Sequence, residues 1–254
     1  MTSRTLSIGT SIVIILFIMA FSFFLNFQNV AYAQEAHLED HDILILMVNL
    51  QRITVQISLT QDSLANGDIE AAFAHAYIPH SVTFPSIKKI LEEVNSEAAK
   101  KLETLLTDLP INIRGKNGSY VDLGNDLQAI NNLLSDISNQ AIGSSQTDKA
   151  IALQSITYLL KDTGQSYVIW NSSQSKNGQQ ILDQDPKAND IDYENALGLV
   201  NISKSNYATV TDLIDERRKI ELDSFFGQLQ ELVLQKADQN SVSKLIAAIE
   251  RDIN

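Results

Sequence analysis

Histidine is the unevenly placed residue of this sequence: the chain has four, and all lie between positions 37 and 80. The first pair sits in Glu35-Ala-His37-Leu-Glu39-Asp40-His41-Asp42. On a helix, His37 and His41 face the same way, a spacing at which two imidazoles hold one divalent ion. The flanking carboxylates would concentrate cations and add oxygen ligands. The same composition also describes a solvated N-terminal tail. The second pair, in Ala74-His75-Ala76-Tyr77-Ile78-Pro79-His80, is five residues apart, which a straight helix does not bring to one face. A break at Pro79 would bring the rings together. Ala71, Ala72, Ala74 and Ala76 leave room for a second helix to approach His75 closely. His75 and His80 thus read as core ligands for iron, copper or zinc, with His37 and His41 as an accessory pair. The alternative is one histidine hydrogen-bonded between helices and one exposed.

Other chemistry is missing from the pattern. The sequence has no cysteine, no Gly-x-Ser-x-Gly elbow, no His-Glu-x-x-His and no phosphate-binding glycine loop. Its carboxylates are spread evenly, as on solvated faces. The expectation is a non-catalytic protein. With 19 Lys+Arg against 31 Asp+Glu the net charge is −12, which argues against nucleic acid and anionic membranes, where Lys and Arg supply the binding energy. Glu216-Arg217-Arg218-Lys219 is a basic island, read as solvated and paired with neighbours. Trp170 and Tyr167 are expected to plug the end of a bundle.

The first 33 residues form a class apart. Arg4 is followed by an apolar run and then by Ala31-Tyr32-Ala33, the order of a secretory signal peptide with cleavage before Gln34. An uncleaved anchor over residues 6–27 is the alternative, being close to the ~20 residues that span a bilayer. Either reading places the bulk of the chain outside the cytoplasm, where the sequons at Asn117, Asn171 and Asn201 could carry glycans and where loops are expected near 117 and 171. A chain of this size needs no disulfide to bury a core.

Helical periodicity dominates what must position these residues. Beyond the signal segment, an acidic tail over 34–41 precedes a helical domain over 42–254, with sub-halves 42–108 and 120–254. Helices are predicted over 42–66, 68–81, 85–107, 121–141, 148–170, 190–203, 207–236 and 241–253. Pro79 ends the second of these and Pro85 opens the third. Leu109 to Ser119 and Ser172 to Asn189 read as loops. Leu50-Gln51-x-Ile53 recurs as Leu127-Gln128-x-Ile130, and Asp68-x-x-x-Ala72 recurs as Asp148-x-x-x-Ala152 and Asp192-x-Glu-x-Ala196. The fold class expected is all-α: an antiparallel bundle of about seven to eight helices, built from repeated hairpins.

The stretch Leu64-Ala-Asn-Gly-Asp68-Ile-Glu-Ala-Ala-Phe-Ala-His75-Ala-Tyr77, with Ile87-x-x-Ile90-Leu91-Glu92 after it, resembles the extracytoplasmic helical-hairpin domain associated with iron permeases and its stand-alone archaeal relatives. The resemblance covers about 30 residues. It implies an extracytoplasmic helical protein that handles or senses a transition metal, with His75 and His80 as the positions carried over. The chain departs from that group at Lys88-Lys89, two cations where acidic ligands belong, and in having no Arg-Glu-x-x-Glu motif. The function expected is therefore metal binding in an iron- or copper-handling context. The alternative is a structural or protein-interaction component of the cell envelope with no metal, contacting an envelope or membrane protein.

Overall fold

In the computed structural model the first helix, α1 (Asp40–Ala65), contains an 18-residue window of mean hydropathy 1.5, long and apolar enough to cross a membrane by length and composition. Its position explains that composition: α2, α3 and α4 pack on one side of it, and α5 and α6 on the other. A helix apolar all round is the form a central core helix takes. The structure describes residues 38–115, 120–141, 146–176 and 188–253. The expected signal segment, His37 and the sequon at Asn117 lie outside them.

α1 ends where Gly67, at φ 74°, takes the left-handed conformation that releases the chain. Gly67 N–H then donates to Leu64 O and Asp68 N–H to Ser63 O. Asp68 caps α2 (Ile69–Ile78) by accepting from Ala71 N–H at 3.1 Å.

Here the sequence expectation is corrected. Pro79 does not stop the helix. One π-turn, Pro79–Thr83, absorbs the missing N–H, and the chain runs on into α3 (Phe84–Arg114). The reversal falls instead at Asn95, whose extended backbone (φ −158°, ψ 96°) splits α3 into arms over 84–94 and 96–114. Asn95 Oδ1 caps the second arm by accepting from Ala98 N–H at 2.9 Å. Lys88 of the first arm meets Glu103 of the second, and His80 and Glu70 on the helix leading into the first arm meet Thr107 and Arg114 in turn, so the second arm runs antiparallel to both. The second arm passes through Pro110, which is buried, and reaches Arg114, so the loop expected from Leu109 starts only beyond it.

α4 (Tyr120–Ala141) completes a first four-helix bundle, and its core joins α1, α2, both arms of α3, and α4. Leu50 and Ile53 of α1 share that core with Leu127 and Ile130 of α4. A second bundle follows: α5 (Gln146–Lys176), α6 (Ala188–Thr209), α7 (Glu216–Leu234) and α8 (Gln239–Ile253), around Tyr167, Phe226 and Val233. α5 is helical through Asn171, where a loop was expected. The helix expected over 207–236 is interrupted by a 3-10 turn, Thr211–Leu213, after which Asp215 caps α7 by accepting from Arg218 N–H. α8 buries Val242, Ile246, Ile249 and Ile253, the face its periodicity marks.

The repeated Asp and Leu-Gln motifs do not follow this division. Their second copy runs from α4 into α5, from one bundle to the other, and Asp192 lies inside α6, after its first residue, Ala188. The described helices thus form an all-α pair of bundles sharing α1 as a seam.

Candidate functional site

The seam is where His75 lies. Ala72 and Ala76, fully buried, let α2 close on its neighbours, and His75 between them is 0% exposed. Its Nδ1 is 2.9 Å from Gln56 Oε1 on α1, and its Nε2 is 2.7 Å from Glu194 Oε2 on α6. Gln56 Nε2 donates to Asn195 Oδ1, which turns the amide oxygen towards the ring. Both ring nitrogens thus face an acceptor, the Gln56 amide oxygen on one side and the Glu194 carboxylate on the other. Asp62 stands nearby on α1. Lost hydration and the Glu194 charge raise its pKa, although its side chain reaches solvent, and His75 pulls it back.

Along the same seam Arg52 holds Asp162 of α5 at 2.6 Å, and burial raises that carboxyl while Arg52 lowers it. α1 and α6 approach so closely at Gly198 that an added Cβ would lie 2.6 Å from Val55 Cγ1. Leu44, Met47, Val48, Ile151, Leu159 and Leu199 fill the remaining space.

His80 points elsewhere. Its Nδ1 lies 3.2 Å from Thr107 Oγ1 on the second arm of α3, and its ring stands edge-on to Tyr77 with centroids 6.2 Å apart. The break at Pro79 therefore does not converge the two rings, because the π-turn keeps the helix running. His41 is exposed in the first turn of α1, beside Asp40 and Asp42. Its expected i, i+4 partner, His37, lies outside the described residues. Among the described residues, no group of three or more His, Asp or Glu side chains is arranged to hold a metal ion.

A second feature was not read from the sequence. Phe73 and Tyr77 stack along α2 with centroids 5.9 Å apart, and the Arg114 guanidinium covers Phe73 at 3.4 Å. Tyr77 lies between the Phe73–Arg114 and His80–Thr107 contacts on its helix, and Ile111 lies between Arg114 and Thr107 on the second arm. Tyr77 is 49% exposed, Val82 of the π-turn 66% and Ile111 63%. All three are large apolar side chains open to solvent, and the Glu70–Arg114 ion pair at 3.0 Å lies one turn before Phe73. Ile111 was hidden from sequence reading because it falls where a loop was expected. Gln56, Glu194 and Asn195 were hidden because their link to His75 spans long stretches of chain.

The architecture and the sealed imidazole define a class in physical terms: a non-repeating tandem of helical bundles joined by a buried polar clasp. Comparison with models of protein families, with curated proteins and with solved structures finds no match.

Proposed function

We propose that this is an exported, non-catalytic interaction protein of the cell envelope that binds a protein partner through the face that carries Phe73, Tyr77, Val82 and Ile111. The observation that carries the reading is the Phe73–Tyr77 stack, open to solvent at Tyr77, on a helix whose contacts with the second arm flank the exposed Ile111. Single exposed apolar residues are ordinary on protein surfaces, whereas an aromatic stack and an exposed isoleucine carried on two packed helices are the form binding patches take. An aromatic centre with an Arg–Glu rim also matches the composition of interface cores. Export rests on the signal-like segment, and the acidic balance keeps nucleic acid out of the reading.

The iron, copper or zinc reading receives less support from the geometry. His75 spends both nitrogens on protein partners, and His80 faces Thr107. The test of the interaction reading is site-specific photo-cross-linking from Tyr77 and Ile111 in the envelope of the producing cell.

A further inference from the structure

At one end of the second bundle, Tyr167 and Trp170 of α5 meet Tyr193 of α6. The Tyr167 and Trp170 centroids are 5.0 Å apart, and those of Trp170 and Tyr193 are 5.3 Å apart. Over this set lies the ammonium of Lys236, 4.4 Å from the Tyr193 centroid and 5.5 Å from that of Trp170. Two observations mark this as more than chance packing. Lys236 follows α7 at φ 52°, the only non-glycine residue with positive φ among those described, at a helix end where glycine is the usual occupant. Trp170 is 95% buried by its 5% exposure, yet its Nε1–H has no hydrogen-bond partner. The surroundings are acidic as well: burial and then the Asp190 and Glu194 carboxylates raise Tyr193, while burial, Tyr193 and Asp238 push Tyr167 up to about 12.

Rings attract a cation through their negative faces and offer it no hydrogen-bond acceptor. A lysine ammonium therefore gives up hydration there that the rings do not replace, since its three N–H groups remain donors. A trimethylammonium group has no N–H to lose and fills the same space.

We propose that Trp170 and Tyr193, with Tyr167 behind them and Asp190 beside them, form a cage for a trimethylammonium group, and that Lys236 is its built-in occupant in the free protein. The ligand displaces Lys236, and self-occupancy weakens apparent affinity by the fraction of time the cage is free. The group could come from a free choline-like solute or from a choline lipid headgroup.

Trp170 is the only tryptophan in the chain, so its fluorescence reports on this site alone. The experiment titrates choline chloride, and separately phosphatidylcholine vesicles, into the protein and into Lys236→Gly and Tyr193→Leu, with ammonium chloride at matched ionic strength as the control. Circular dichroism confirms that each variant is folded; Lys236→Gly suits its backbone and Tyr193 is only partly buried. The expected result is a saturable change, tightened about tenfold or more by Lys236→Gly and lost in Tyr193→Leu. A response to vesicles alone, lost in Tyr193→Leu, assigns the lipid source. The proposal is overturned if neither choline nor vesicles change the fluorescence of Lys236→Gly beyond the ammonium control, or if Tyr193→Leu responds as strongly as the unmodified protein.

Discussion

His75 combines full burial with a charged partner, and the two pull in opposite directions. Burying an imidazole is costly, and only close hydrogen-bond partners repay it. Glu194 supplies one at 2.7 Å while remaining 37% exposed on its own side, so the clasp faces water at one end only. Replacing His75 by alanine leaves a cavity, an unpaired Gln56 oxygen and an unpaired Glu194. The expected cost is about 2–4 kcal/mol, or a Tm lower by roughly 5–15 °C for a chain of this size. Thermal unfolding followed by circular dichroism checks it; a change below about 1 kcal/mol would show that the clasp contributes nothing net. The alanines flanking His75 made its close helical packing legible in the sequence. Its partners were not legible, because periodicity reports which face is buried and not which helix covers it.

At the scale of elements, the account turns on where the chain reverses. Two prolines six residues apart look like a helix end followed by a helix start. A π-turn offers the chain another solution, and the apolar residues on both sides of it, Ala72 and Ala76 before and Ile87 and Leu91 after, belong to one core. The actual reversal is signalled by a single asparagine whose side chain caps the next arm, a cue weaker than proline in sequence and decisive in structure. Asn95→Ala removes the cap on Ala98 and the hydrogen bond from Asn95 Nδ2 to Gln140 Oε1. It is expected to cost about 1 kcal/mol, visible as a lower urea midpoint with unchanged slope. Helix existence and type were largely legible, since the stripes of α4 and α8 are continuous. What escaped were junctions: α3 past Pro110, α5 past Trp170, and the break before Asp215.

For the whole molecule, two bundles share one apolar helix, and half-buried carboxylates lie along or near the seam. Burial raises Asp162, with Arg52 opposing, and raises Asp192. For an acid raised in the fold, the cost of holding it ionised is full above its folded pKa. That cost diminishes as pH falls through that value towards the ordinary 3.8, because the fold then binds protons that the unfolded chain does not. Relief of the net charge of −12 acts in the same direction. Asp238 behaves oppositely: hydrogen bonds from Ser241 lower it, so its contribution is present above 3.8 and lost below. Tm is therefore expected to rise as pH falls from 7 through the raised carboxylates and to fall once acid reaches the lowered ones, with Asp192→Asn flattening the rise. A Tm that declines steadily below pH 7 would contradict this assignment. The proposed interaction surface belongs to the same scale, since its residues come from two helices that only the folded bundle sets side by side. It is tested most directly by placing a photo-cross-linking residue at position 77, 82 or 111, or at the exposed Gln128 on α4 as a control, and irradiating cells that produce the protein. The account predicts one discrete protein adduct shared by positions 77, 82 and 111 and absent at 128; no adduct at any of the three, or the same adducts at 128, would contradict it.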